Sequence, residues 1–224
     1  MPMPVRPGSR SPLRLLCALV AAVLLAGCVE PPVLPEAGPT TRARGHAETP
    51  RQNAAAIERL GGAVDYGRVD RASGQRSGIS ATITPAMVRA AAAHDLGTTA
   101  DPDIRPPGFQ DLPARNRSRG HLLGRQLGGS GEVEANLVAL YQRRANSPVM
   151  RDYESAVAEA VERGQTVRYR VRPVYPGPGF RGAPSALRIT ASGDHGFRLD
   201  VLVANTPEAR VREYVPLPAG YGTP

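Results

Sequence analysis

Arg119-Gly120-His121-Leu122-Leu123-Gly124-Arg125-Gln126-Leu127-Gly128-Gly129, preceded by Asn116-Arg117-Ser118 and followed by Glu134-Ala135-Asn136-Leu137-Val138, decides how the rest of the chain is read. It sets one of only four histidines among arginines and ahead of an asparagine. A neutral imidazole takes a proton from water near neutral pH, guanidinium groups grip phosphate bidentately, and a carboxamide oxygen ligates a hard cation such as Mg2+. Hydrolysis of a phosphodiester needs these abilities together: an activated water, and neutralisation of the charge that builds on the phosphoryl oxygens and the departing alkoxide. His121 is therefore the candidate base and Asn136 the candidate metal ligand, although a histidine packed at a strand end and a turn asparagine are the plainer alternatives.

Working outward, Arg119 lies two residues before His121, so both side chains leave a continuous strand on the same face. From there Arg119 would meet a non-bridging phosphate oxygen. Arg115, Arg117, Arg125, Arg143 and Arg144 would extend the contact along a nucleic-acid backbone, though each singly also suits a solvated surface position. Asn146, just before Ser147-Pro148, is a weaker metal candidate and also a helix cap. With aromatic content at 4% and no tryptophan, base stacking is a poor basis for recognition, and indiscriminate backbone binding fits better.

Arg119-Gly120-His121, the Leu127-Gly128-Gly129 turn, Asn136-Leu137-Val138 and Asn146 ahead of Glu154 occur in the order that resembles the DNA/RNA non-specific endonucleases of the ββα-metal (His-Me finger) superfamily. The resemblance spans roughly Gly61 to Asn205. It implies an α+β fold: a ββα-metal core with an antiparallel sheet and flanking helices, His121 near a strand end, Asn136 entering the next strand, and a helix after Ser147 beside them. It implies His121 as base, Asn136 as ligand and Glu154 as a supporting group. The cofactor would be Mg2+, with Mn2+ as a substitute, and the substrates DNA and RNA. The acidic residue that opens the family signature is Ser118 here.

The basic residues number 28 and every one is arginine, against 20 acids. Both cysteines, Cys17 and Cys28, lie at the amino-terminal end, so the remaining chain has no disulfide framework and no thiolate metal site. Three arginines precede the apolar run Leu15 to Ala26, which is shorter than the roughly 20 residues that span a bilayer. Residues 1–27 read as a secretory signal. Leu25-Ala26-Gly27-Cys28 resembles the bacterial lipobox, which implies lipidation at Cys28 and an extracytoplasmic, membrane-anchored protein; ordinary cleavage at a small residue is the alternative. Without the leader's arginines the charge falls from +8 to about +5, a modest excess that favours polyanionic partners.

Residues 28–52 form a Pro-rich spacer, 53–205 the expected nuclease domain, and 206–224 a loosely held polar tail. Within the domain, Asn53 is placed to cap a short helix over 54–60. Val64 to Val69 and Ile79 to Thr84 flank a turn as paired strands, and Thr84-Pro85 opens a helix towards His94. Asp101 to Pro113 is an irregular loop. After Ser147-Pro148, Val149, Met150, Tyr153, Val157, Ala160 and Val161 repeat at helical spacing up to Gly164. Val167, Tyr169 and Val171, then Leu187, Ile189 and Ala191, then Phe197, Leu199, Val201 and Val203 alternate with polar residues as antiparallel strands.

Other chemistries are excluded by pattern. No Gly-Lys-Ser/Thr follows the glycine-rich turn, no His-Glu-x-x-His helix exists, and Gly-x-Ser-x-Gly is absent. Two alternatives stand beside this reading: from another class, a surface-tethered module that binds polyanions without cutting them, and, second, a nuclease toxin aimed at competitors and matched by an immunity or inhibitor protein.

Overall fold

The computed structural model describes residues 50–221. The leader, Cys28 and the spacer as far as residue 49 lie outside the described residues. Among those described, no helix is long and apolar enough to cross a membrane.

Among the described residues, ten strands and three α-helices follow one another. Helix α1 (Pro50–Arg59) leads into β1 (Ala63–Asp65) and β2 (Ile79–Ile83), then α2 (Pro85–Ala92). A hairpin of β3 (Arg117–His121) and β4 (Leu137–Tyr141) comes next, then the two-residue β5 (Arg143–Arg144) and β6 (Ser147–Pro148), which pair in parallel, and helix α3 (Val149–Glu162). The chain closes with β7 (Val167–Val174), β8 (Ala186–Gly193), β9 (Arg198–Ala204) and β10 (Val211–Val215). A six-stranded antiparallel sheet has the order β1-β2-β7-β8-β9-β10, and β3 and β4 form a separate ribbon. The ββα arrangement expected from the motif is present as β3, β4 and α3.

Period-two alternation on β7, β8 and β9 becomes a two-faced sheet because successive side chains leave a strand on opposite sides. Tyr169, Val171, Ile189 and Val201 are buried on the inner face, against which α3 packs. Helix α3 returns Met150, Tyr153, Val157 and Val161 to the same core, and the aliphatic ones each contribute about 1.5–3 kcal/mol by leaving water. Thr84 caps α2 as its sequence predicts, its hydroxyl accepting from Met87 N–H at 3.3 Å with Pro85 at the first turn. That helix ends at Ala92, short of the expected His94, whose φ of 65° marks the reversal.

Two expectations are corrected. Helix α1 begins at Pro50, so Asn53 is inside it; fully buried, its amide donates to the Gly128 carbonyl at 3.2 Å and its oxygen accepts from the Tyr66 hydroxyl. The segment after Thr206 is tied down: β10 pairs with β9, and the Tyr221 ring packs tilted against Phe197 with ring centroids 4.8 Å apart.

Candidate active site

His121 is the last residue of β3, opposite Leu137 at the start of β4. Its Nε2 lies 3.1 Å from the Thr98 carbonyl, which has only lone pairs to offer, so Nε2 carries the proton and Nδ1 is left as the accepting nitrogen. Burial lowers the imidazole pKa below its ordinary 6.5, and the Arg125 charge adds to that effect against the Thr98 contact. The ring thus stays neutral near pH 7. No sequence signal marks Thr98, since its contribution is a backbone oxygen.

His121 borders a cleft of about 290 Å³ with Gly124, Arg125, Asn146, Ser147, Met150, Arg151 and Glu154. Two glycines of the motif make room for the groups opposite them. A Cβ at position 120 would sit 3.0 Å from Asn146 Oδ1 and overlap the Leu140 side chain, and one at position 124 would fall among the carboxyl atoms of Glu154. The sequence Gly-His-Leu-Leu-Gly therefore admits the carboxamide and the carboxyl beside the imidazole.

Asn136, expected as the metal ligand, is elsewhere. It is fully buried in the short turn before β4, where Oδ1 accepts from Leu123 N–H at 2.8 Å. Its Nδ2 donates to the Leu123 carbonyl at 3.0 Å and to the Ser130 carbonyl at 2.9 Å. Every polar atom of the side chain is spent on main chain, and the residue clips the loop after His121 to the entrance of β4. This corrects the expectation. The carboxamide that borders the cleft is that of Asn146, whose Nδ2 donates to Gln142 Oε1 at 3.0 Å and whose oxygen accepts no hydrogen bond among the described residues.

Arg119 is corrected likewise. Its guanidinium donates to the carbonyls of Ile104 at 2.6 Å and Pro102 at 2.7 Å and lies over the Phe109 ring, fastening the 101–109 loop to β3. Arg117 shares that ring at 4.7 Å. In the cleft the cations are Arg125, whose Nη2 is 2.7 Å from His94 Nδ1, and Arg151, which the sequence reading omitted although it is one helical turn from Glu154 on α3. Arg115, Arg143 and Arg144 are exposed outside the cleft lining. Ser118 uses its hydroxyl weakly on the Leu140 carbonyl, at 3.4 Å, within the β3–β4 ribbon.

Glu154 is buried, and burial raises its carboxyl pKa from 4.5 to about 8, opposed by a 3.5 Å hydrogen bond from Gln126. The Tyr169 hydroxyl is buried with no hydrogen-bond partner among the described residues, and the Glu154 charge adds to the effect of burial in raising its pKa. Among the described residues no group of three His, Cys, Asp or Glu side chains gathers as a closed metal cage. One open carboxamide oxygen, a weakly bonded buried carboxyl and an open cleft suit a hard cation that keeps most of its waters and takes further oxygens from a phosphate, as Mg2+ does. A structural zinc site, with four protein ligands, does not fit.

Residues 67–193 match the model of the family described as DNA/RNA non-specific endonuclease. Among solved structures, the chain is similar to NucA from Streptococcus agalactiae with no metal bound, at 18% identity and a TM-score of 0.52 over 68% of this chain and 78% of that one. It is also similar to the Sda1 nuclease with bound zinc ion, at 21% identity and a TM-score of 0.52 over 64% and 75% of the two chains. None of the curated proteins matches.

Proposed function

The chain belongs to the DNA/RNA non-specific endonuclease family, and from that premise we propose a Mg2+-dependent enzyme that is secreted, anchored by lipid at Cys28, and hydrolyses DNA and RNA without sequence preference. The observation that carries the reading is the contact of His121 Nε2 with the Thr98 carbonyl, which leaves Nδ1 as the acceptor on a ring bordering a cleft that also holds Asn146 and Glu154. Nδ1 takes the proton of the attacking water. Asn146 offers its oxygen to the cation, and Glu154 backs the same space from α3. Arg125 and Arg151 hold the phosphate against the cleft wall. When bound, Mg2+ supplies Lewis-acid stabilisation of the charge on the phosphoryl and leaving oxygens. Asn136 and Arg119 act through the frame, the first by fixing the loop behind His121 and the second by fixing the 101–109 loop. Residues 1–27 would be removed on export, leaving the spacer to hold the domain off the membrane.

Supercoiled plasmid and total RNA incubated with Mg2+ or EDTA test the reading. Cleavage of both in Mg2+ alone, abolished in a folded His121→Ala protein, is the expected result. Retention of plasmid in a gel shift without nicking would make the chain a polyanion-binding module instead.

A further inference from the structure

The outer face of the six-stranded sheet points away from α3 and from the cleft, and it is strongly basic. Register places Thr82, Arg168, Ser192 and Arg198 in one cross-strand row, and Asp65, Ser80, Arg170, Thr190 and Asp200 in the next. Arg172, Arg188 and Arg212 share a third row. Six arginines therefore share this face with two aspartates, one of which, Asp200, is engaged by Arg188 at 2.8 Å. Arg168 and Arg172 are exposed and make no ion pair or side-chain hydrogen bond among the described residues, while Arg170 uses only Nε, on Ser80 at 3.2 Å. Arg168, Arg170 and Asp65 border a groove of about 500 Å³, larger than the catalytic cleft, with Ser80, Thr82, Thr190 and Ser192 offering hydroxyls along its floor, and Arg172 stands beyond it on the same strand.

We propose that this sheet face is a second binding surface for the sugar-phosphate backbone of the nucleic acid whose distant part is cut in the cleft; the proposal rests on the nuclease reading above. The chemistry is that of a backbone, not of bases. Arginines two residues apart on a strand leave the backbone about 6.6 Å from one another on the same face, a ladder of positive charge with hydroxyl donors between its rungs, and Tyr169, which lines the groove, is buried and offers no stacking face. Like-charged side chains on neighbouring positions repel one another and cost stability unless a polyanion neutralises them. Contacts of this kind release counterions and leave a salt dependence by which they are counted.

The test is equilibrium binding in EDTA, which separates binding from cleavage. Fluorescence anisotropy of a labelled long duplex is compared for the intact chain, for Arg168→Gln/Arg170→Gln/Arg172→Gln, and for the same three positions changed to lysine, each with a thermal melt to certify the fold. The glutamine variant is expected to raise Kd about tenfold or more. It should also make the slope of log Kd against log salt shallower by about 2.7, at about 0.9 per lost phosphate contact, with the lysine variant restoring most of both. Unchanged duplex affinity and slope would overturn the proposal whether or not the protein cuts. So would a glutamine variant that binds duplex normally but loses adhesion to vesicles containing anionic lipid, since the face would then belong to a membrane surface. Normal loss of duplex binding by a protein that cleaves nothing in Mg2+ would sink the nuclease reading and leave this surface standing.

Discussion

Alanine at the two asparagines separates framework from chemistry. Asn136→Ala removes two donors and one acceptor from a fully buried site and strands Leu123 N–H, the Leu123 carbonyl and the Ser130 carbonyl. Each stranded buried group costs about 1–3 kcal/mol, and relaxation of the loop recovers part of the sum, so a loss of about 4 kcal/mol is expected. For a domain of this size each kcal/mol moves Tm by about 2–4 °C, which predicts a fall of about 8–16 °C by calorimetry. Asn146→Ala gives up one contact with Gln142 at the surface and should stay within about 0.5 kcal/mol of the parent. Its plasmid cleavage in Mg2+ should nonetheless drop by about two to three orders of magnitude, the effect of several kcal/mol of lost transition-state stabilisation. An Asn136→Ala protein that melts like the parent but loses Mg2+ dependence, beside an active Asn146→Ala, would refute the assignment.

Three further outcomes follow from the same geometry. Because burial depresses the His121 pKa, kcat/KM should hold down to pH 6.5 and fall only as pH drops through the lower folded value; stability carries the same sign, complete above 6.5 and lost below as the unfolded chain binds the proton first, and His121→Ala should flatten that acid limb in melts against pH. Glu154 has the opposite displacement, so its own contribution to metal-free stability should be complete below pH 4.5 and decline towards about 8; Glu154→Gln should abolish that decline, and Mg2+ affinity of the parent measured by titration calorimetry should rise across the same interval. Gly124→Ala drives a methyl into the Glu154 carboxyl and is expected to cost about 1–3 kcal/mol in urea unfolding while cutting the cleavage rate at least tenfold; an unaffected rate would mean that Glu154 does not need its place.

Much of the architecture was legible because it rests on apolar period. Val167, Tyr169 and Val171 alternate, Met150, Tyr153 and Val157 keep helical spacing, and both patterns became the elements they predict. Strand β10 was not legible: all five of its residues are exposed, so pairing with β9 holds it through the backbone and no buried face writes a period into the sequence. The site divides in the same way. His121 and its glycines stand out as a motif, and the structure brings His121 together with Glu154. Two asparagines sit at comparable points of that motif, and only the turn before β4 decides that Asn136 points inward to main-chain partners while Asn146 faces the cleft. The place of Arg119 is hidden for a similar reason, since its partners are carbonyls of a loop without regular structure.

Ile83 pairs with Val167, so everything from Thr84 to Thr166 is an excursion between two neighbouring strands of one sheet. The apolar side of α3 packs on α2 before it, but its contacts with the sheet wait until β7 and β8 have been synthesised. A nascent polypeptide that already carries His121, Asn146 and Glu154 therefore lacks the sheet behind the helix that bears Glu154, and destructive chemistry is deferred until β7 and β8 have been delivered. For a cell that makes such a protein beside its own genome and messengers, late completion of the scaffold is itself a safeguard.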